Sequence, residues 1–152
     1  MMFVDASVIV AILTKEPGWA ELLKRISGAG SPLHISALVR LEATLALGRI
    51  NAVSKKPTPE MLAAARDLVD SFIVEISARN VPIDEDIGAR AIDASIRYGK
   101  AVGHPADLNL GDCFAYACAK ALDLPLLYKG DDFLQTDLAP KPAFRQSDAR
   151  RE

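Results

Sequence analysis

Cysteine and histidine are scarce in this chain, with only two of each among its 152 residues. Cys113 and Cys118 form no C-x-x-C pair, and a thiolate metal site would need more ligands. They lie five positions apart in a predicted helix and point in different directions, so we expect no disulfide between them. His34 falls in a predicted strand and His104 in a predicted loop, with no nucleophile–base motif near either. The sequence therefore does not favour thiolate metal binding or histidine-assisted nucleophilic catalysis.

Long apolar runs and a strong net charge are also missing. No apolar run approaches the ~20 residues that a membrane-spanning helix needs, so we expect no membrane partner. The N-terminus has no basic segment followed by an apolar one, which argues against a secretory signal. Two free thiols fit a reducing, cytoplasmic location. The net charge of −2 gives no global basic field to attract nucleic acid, which leaves local patches as the alternative. The candidates for such a patch are Arg40, Arg49, Lys55, Lys56, Lys100 and Lys129.

Short apolar strands alternate with amphipathic helices along the chain, and half of the residues are hydrophobic. This alternation is typical of a parallel α/β sheet in a single domain. A short edge strand near Ala143 and Phe144 would add a fifth strand within a C-terminal tail that is rich in Pro, Lys and Arg. We predict the other strands over 1–5, 33–35, 80–83 and 124–128, and helices over 6–13, 19–26, 37–50, 58–77, 84–98 and 110–122.

Acidic side chains occur where the predicted strands end. Asp5 directly follows the first strand, and Asp131 and Asp132 follow the strand at 124–128. Glu42 and Asp112 fall near the starts of two helices, with apolar residues around them. Because ligands of parallel α/β sheets bind at the carboxyl ends of the strands, we expect these carboxylates to meet at one edge.

Carboxylates crowded in this way repel each other and raise each other's pKa. A hard divalent cation such as Mg²⁺ or Mn²⁺ relieves the repulsion, since it prefers oxygen ligands and binds substrate phosphate at the same time. Hydrolysis of a phosphodiester is the reaction that such a site favours. Taken singly, each acid has a structural alternative: Asp5 and Asp112 as helix-capping residues, Glu42 as a solvated helix residue, and Asp131–Asp132 as a turn.

The motifs together resemble the PIN-domain ribonucleases, and in particular the VapC toxins of bacterial VapBC toxin–antitoxin modules. The similarity covers about residues 1–140, with 141–152 as the tail. It implies a three-layer α/β/α, Rossmann-like sandwich with a parallel sheet of about five strands. The motifs are Asp5-Ala6-Ser7 after the first strand, Ser36 with Glu42 on a middle helix, Leu108-Asn109-Leu110-Gly111-Asp112-Cys113, and Lys129-Gly130-Asp131-Asp132-Phe133 followed by Thr136-Asp137.

The resemblance also implies an activity and its partners. These are Mg²⁺- or Mn²⁺-dependent cleavage of RNA, often transfer or ribosomal RNA, a homodimer, and inhibition by a VapB antitoxin whose C-terminal segment reaches the active site. Helices 6–15 and 58–76 carry apolar residues that we expect to serve the dimer or the antitoxin.

Carried over by motif, Asp5, Glu42 and Asp112 would be metal ligands, with Asp131 as the fourth acid and the adjacent Asp132 as its alternative. The surrounding hydrogen-bonding groups would be Ser7, Asn109, Asp132 and Thr136.

Three other interpretations compete with a ribonuclease. A phosphatase of the haloacid dehalogenase type needs a second acid two residues after the first, where this chain has Ser7. A receiver-type signalling domain needs paired acids near its first strand, and Asp5 has no acidic neighbour. A catalytically inactive PIN-like module that only binds a partner has the same sequence features as the enzyme. Only an activity assay distinguishes this inactive module from the ribonuclease.

Overall fold

The computed structural model describes residues 1–30, 32–52 and 56–139. They form a parallel β-sheet flanked by helices, as the sequence predicts. The strands are β1 (Met2–Val4), β2 (Leu33–Ser36), β3 (Arg79–Val81) and β4 (Leu126–Leu127). The α-helices are α1 (Ala6–Leu13), α2 (Trp19–Gly28), α3 (Ala37–Asn51), α4 (Pro59–Glu75), α5 (Glu85–Tyr98) and α6 (Leu110–Ala121), with short 3₁₀ helices at Lys100–Val102 and Asp132–Gln135.

The strands are ordered β3-β2-β1-β4, and every pairing between neighbours is parallel. β1 therefore has β2 on one side and β4 on the other, although β4 is the last of these strands in the chain. This arrangement creates a topological switch point at β1, where a crevice opens beyond the carboxyl ends of the strands. Asp5 lies at this point, and its backbone N–H donates to the Leu127 carbonyl of β4 at 2.9 Å.

The predicted α/β/α class is confirmed, but the described residues contain four strands and not about five. The fifth strand was expected near Ala143 and Phe144, which lie outside the described residues. The third and fourth strands are shorter than the sequence predicted, since β3 covers Arg79–Val81 and β4 only Leu126–Leu127. An apolar run alone does not show where strand pairing stops.

Side-chain caps explain where five of the helices begin. Asp5, Ser36, Thr58, Asp84 and Asn109 each accept a hydrogen bond from a backbone N–H in the first turn of the helix that follows. A cap of this kind contributes about 1 kcal/mol because it satisfies an otherwise unpaired donor. Two of these capping residues also border the crevice, so the residues that start the helices help to build the candidate site.

The expectation that α1 presents an apolar surface is wrong, since six of its eight residues are buried. The helix is apolar because it lies inside the fold, with its residues contributing to the main core. On α4 the apolar residues are divided: Leu68 and Val74 are exposed, while Val69 and Phe72 are buried. None of the described helices has the length and apolar character that a membrane-spanning segment requires.

Candidate active site

A cavity of about 540 Å³ opens at the switch point, and five acidic residues from separate segments line it. Asp5 comes from the end of β1, Glu42 from α3, Asp112 from α6, and Asp132 from the segment after β4. Ser7 and Asn109 also line the cavity. The convergence that the strand-end pattern predicted is therefore present in the structure. The fifth acid, Glu16, lines the cavity together with two cations, Arg49 and Lys129.

Asp5 is the most deeply buried of these acids, with 6% of its surface exposed. One carboxylate oxygen accepts the Ser7 backbone N–H at 3.0 Å, which caps α1. An ionised carboxylate can accept about four hydrogen bonds, so this bond does not exhaust its capacity. The cap and the catalytic interpretation of Asp5 are thus compatible, because one bond to the helix also fixes the orientation of the side chain.

Asp112 is held by a reciprocal capping box at the start of α6. Its Oδ2 accepts the Asn109 backbone N–H at 3.0 Å, while the Asn109 Oδ1 accepts the Asp112 backbone N–H at 2.9 Å. Such a box satisfies two N-terminal donors and restricts the acidic side chain. Asn109 therefore fixes the orientation of the Asp112 side chain.

Glu42 reaches across from α3 to the first turn of α6, where it contacts Gly111. A Cβ atom at Gly111 would lie 1.9 Å from the Glu42 Oε2 atom, which is far inside van der Waals contact. The carboxylate occupies the space that a side chain at position 111 would need. Glycine at this position is therefore required for Glu42 to lie beside Asp112.

The proximity of the acids is visible in their pKa values. Burial, followed by the charges of Asp5 and Asp112, raises the pKa of Glu42 to about 7. Burial also raises the pKa of Asp112 to about 6, with added repulsion from Asp5 and Asp132. The pKa of Asp5 is raised mainly by burial, against hydrogen bonds from Ser7 and Ala6 that lower it. Mutual repulsion in a recessed site is the electrostatic pattern that a bound cation would relieve.

The structure distinguishes between the two adjacent acids after β4. Asp132 lines the cavity and its charge raises the pKa of both Asp5 and Asp112, whereas Asp131 is not among the lining residues. Asp131 instead acts on Tyr128, whose pKa its charge helps to raise. The chain turns at Gly130, with a φ of 100°, and the 3₁₀ helix begins at Asp132. This turn directs Asp132 to the cavity, and the sequence did not show it.

Of the two hydroxyl residues predicted near the site, Ser7 lines the cavity and Thr136 does not. The Ser7 hydroxyl accepts the Lys129 backbone N–H at 3.0 Å and so ties the segment after β4 to α1 at the cavity wall. Thr136 is buried away from the cavity lining. Its hydroxyl donates to the Phe133 carbonyl at 2.8 Å and accepts the Leu138 N–H at 3.2 Å, which closes the chain after the 3₁₀ helix. Thr136 therefore supports the loop that carries Asp132.

Sequence reasoning missed two features of the cavity. Glu16 forms an ion pair with Lys129 at its rim, and nothing in the local sequence around Glu16 signals this contact. Gly111 belongs to the motif at 108–113, and the motif alone does not show that another side chain approaches it. A glycine inside the first turn of a helix, where it costs stability relative to alanine, is itself a signal of close approach by another group.

The family profile that matches this chain is that of the PIN domain, over residues 2–138. The chain belongs to the PIN-domain family. Among its relatives, a VapC ribonuclease of Rhizobium meliloti strain 1021 is 57% identical over 91% of this chain and 99% of its own length. Ribonuclease VapC42 of Mycobacterium tuberculosis strain H37Rv is 36% identical over 91% of this chain and 98% of its own length. These relatives place the chain among the VapC ribonucleases of the family.

A solved structure gives independent support for the fold. The crystal structure of VapC20 from Mycobacterium tuberculosis, a toxin that cleaves the sarcin–ricin loop, matches with a TM-score of 0.65. The match covers 88% of this chain and 92% of that one, at 14% sequence identity. At this identity the likeness concerns the fold alone. It supports the arrangement of strands and helices described above for this chain.

The donor chemistry of the cavity fits a hard divalent ion, because the converging acidic side chains offer only oxygen atoms. In the part of the chain that the structure describes, no three acidic, histidine or cysteine side chains already form a group that could hold a metal ion. The carboxylates repel one another, so we expect them to move together when a cation neutralises them. The site is thus suited to a metal by charge and ligand type, but it is not a preassembled cage.

Changing Glu42 to Gln is expected to stabilise the metal-free protein at pH 8 by about 1 kcal/mol, after allowance for the partial exposure of the carboxylate. Folding raises the pKa of Glu42 from 4.5 to about 7. The folded state therefore loses stability as pH rises through this interval, and the whole cost is present above it. Thermal unfolding in a chelator should show a higher melting temperature for Glu42→Gln at pH 8 and little difference at pH 4. A melting temperature that falls at pH 8 would contradict the repulsion described above.

Proposed function

We propose that this protein is a divalent-metal-dependent endoribonuclease that hydrolyses phosphodiester bonds in RNA and acts as the toxin of a VapBC module. The observation that carries the proposal is the single cavity in which Asp5, Glu42, Asp112 and Asp132 meet, with raised pKa values for the first three. Membership of the VapC ribonucleases supports the reaction class. The metal dependence and the roles of individual residues go beyond that membership.

Mg²⁺ or Mn²⁺ would be held by Asp5, Glu42, Asp112 and Asp132. When bound there, such an ion lowers the pKa of a coordinated water and stabilises charge that develops at phosphorus. Asn109 keeps the Asp112 carboxylate in place through the capping box, and the backbone of α1 orients Asp5. Gly111 leaves the space into which the Glu42 carboxylate projects. Positioning by these three groups reduces the rearrangement that the site must undergo before it reacts.

The proposed partners are an RNA substrate, which we expect to be transfer or ribosomal RNA in the cytoplasm, and a VapB antitoxin. A groove of about 510 Å³ between α3 and α4 supports the second of these. It is lined by apolar residues such as Leu41 and Leu62, and it shares Leu45 with the active-site cavity. A protein segment in the groove would thus lead directly to the acids. Purification of the co-expressed pair should yield a stable complex, and free toxin in all fractions would refute this partner.

A homodimer is also proposed, on a different surface. Ile92 and Leu110 are 64% and 72% exposed and line an apolar cavity between α5 and α6, with the equally exposed Ile96 one turn further along α5. Contiguous exposed apolar side chains are typical of an interface. Light scattering at micromolar concentration should give twice the monomer mass. A monomer mass under these conditions would show that this surface has another use.

Metal removal tests the proposed function directly. Protein treated with a chelator is expected to leave total RNA intact, and addition of Mg²⁺ or Mn²⁺ should restore discrete cleavage products on a denaturing gel. Restored activity is expected to rise as pH increases from 5 to 8, because metal binding competes with protons on Glu42 and Asp112, whose pKa values are about 7 and 6. Cleavage that is unaffected by the chelator would contradict metal dependence. Absence of cleavage under every metal condition would favour the inactive, partner-binding module.

The same assay identifies the fourth acid. Asp132→Asn should lower the cleavage rate by roughly 10- to 100-fold, since it removes one charge from the metal site. Asp131→Asn removes the same charge from the neighbouring position and serves as the matched control, with an expected change of less than about twofold because Asp131 does not line the cavity. If Asp131→Asn were the more damaging variant, the motif-based choice would be correct and the assignment to Asp132 wrong.

A further inference from the structure

Two cations line the same cavity as the acids, and they come from different elements of the fold. Arg49 lies near the end of α3, whereas Lys129 follows β4. The Lys129 ammonium pairs with the Glu16 carboxylate. Arg49 is exposed and forms no ion pair with any residue of the described ranges. Of the two, Arg49 therefore has a guanidinium that is available to a ligand.

The cavity-lining face of α3 places Arg49 relative to the acids. Glu42, Leu45, Ala46 and Arg49 all line the cavity and follow one another at intervals of three, one and three positions. This spacing puts them on one face of the helix. Arg49 is two turns beyond Glu42, which corresponds to about 10 Å along the helix axis. Arg49 thus lines the same cavity as Glu42 but lies apart from it along the helix.

We propose that Arg49 binds an RNA phosphate next to the one that is cleaved, and so fixes the path of the strand across the cavity. This inference rests on the proposed ribonuclease function. The acids and their cation would engage the reacting phosphate, and a strand that continues along α3 brings a neighbouring phosphate toward Arg49. A guanidinium binds phosphate through paired N–H donors and stays charged at every working pH, which suits it to this contact.

The same helix supplies a matched control. Arg40 has the same charge and lies on α3, but both its Nε and its Nη2 donate to Asp70 on α4, at 2.6 and 2.7 Å. It lines the α3–α4 groove proposed for the antitoxin and not the active-site cavity. The RNA-binding measurement contains no antitoxin, so a role of Arg40 in that groove does not enter the result. Replacing Arg40 therefore removes an equal charge from the same helix without affecting the proposed phosphate contact.

The test measures binding of a labelled single-stranded RNA oligonucleotide that wild-type protein cleaves, at several KCl concentrations. Cleavage is prevented by an Asp112→Asn background, which all variants share. For single strands each phosphate contact contributes about 0.7 to the slope of log K against log salt. Arg49→Gln should reduce the slope by about 0.7 and weaken binding roughly fivefold at 0.1 M salt. Arg49→Lys should keep the slope, and Arg40→Gln should change neither quantity.

Several results would decide against the phosphate contact. An unchanged slope for Arg49→Gln would overturn it, as would an equal loss for Arg40→Gln, which would indicate only a general charge effect. In the otherwise wild-type enzyme, Arg49→Gln should raise KM more than it lowers kcat, because it removes substrate binding away from the reacting phosphate. If the wild-type protein cleaves RNA and these effects are absent, the role of Arg49 fails while the proposed function stands. If the wild-type protein cleaves no RNA, the function itself fails.

Discussion

Replacing Asp112 by Asn is expected to lower the rate of RNA cleavage by roughly 1,000-fold while the protein remains folded. The carboxylate is at the start of α6 beside Glu42 and Asp5, where it would supply charge to the bound cation. Asparagine is nearly the same size, and its amide oxygen can still accept the Asn109 N–H of the capping box. The cleavage rate would therefore fall because a negative charge is missing at the metal site, and not because the capping box is broken. Gel-based cleavage of total RNA measures the loss of activity, and circular dichroism shows whether the protein remains folded.

Asp107→Asn is the control for this variant. Asp107 is close enough for its charge to raise the pKa of Asp112, but it is exposed and does not line the cavity. Its backbone φ is 51°, a conformation that asparagine tolerates well, so the substitution should leave the fold unchanged. We expect near-normal cleavage from Asp107→Asn. In growing cells Asp112→Asn should abolish toxicity and Asp107→Asn should retain it. Full activity in Asp112→Asn would contradict the metal-site interpretation.

Adding a single methyl group at Gly111 should reduce cleavage by roughly 100-fold without removing any acid. The Cβ of Gly111→Ala would be 1.9 Å from the Glu42 Oε2 atom and 2.3 Å from Cδ of the same side chain. These atoms are at the flexible end of Glu42, so the carboxylate can move away at little cost to the fold. We expect the variant to fold and to bind Mn²⁺ more weakly, because one ligand has been displaced.

Gly88→Ala tests whether the loss of cleavage is specific to position 111 or follows from any change of glycine to alanine in a helix. Gly88 lies within α5, and a Cβ atom there would meet nothing within 4 Å. Alanine in a helix interior is favoured over glycine by about 1 kcal/mol, so this control should be slightly more stable and fully active. Titration calorimetry with Mn²⁺, together with the cleavage assay, compares the two variants. Equal activity of Gly111→Ala and Gly88→Ala would show that the position of Glu42 does not matter.

Much of this fold follows from local sequence features. The predicted starts of α1, α3, α4 and α6 lie within one residue of the observed ones, and the structure shows a side-chain cap at each of them, from Asp5, Ser36, Thr58 and Asn109. The meeting of acids from separate segments was also predictable, because the carboxyl ends of parallel strands share one edge. Both inferences depend only on the types of a few residues that are neighbours in the sequence.

Features that depend on tertiary packing were not predictable in this way. Leu41 on α3 is apolar, yet it is 53% exposed and lines the groove beside α4. The core face of α3 is formed by Val39, Ala43 and Leu47. Two apolar faces compete on this helix, and only the position of α4 decides between them. The choice between Asp131 and Asp132 depended similarly on a turn at Gly130 that local spacing does not define.

Location of a bound ion tests the central claim most directly. Crystals of the protein soaked in Mn²⁺ and measured at the manganese absorption edge should show an anomalous peak in the cavity at the end of β1. We predict coordination by carboxylate oxygens of Asp5, Glu42, Asp112 and Asp132, directly or through water, and loss of the peak in crystals of Asp112→Asn. A protein that cleaves RNA in Mn²⁺ while its anomalous peak lies elsewhere, away from these four acids, would contradict the account.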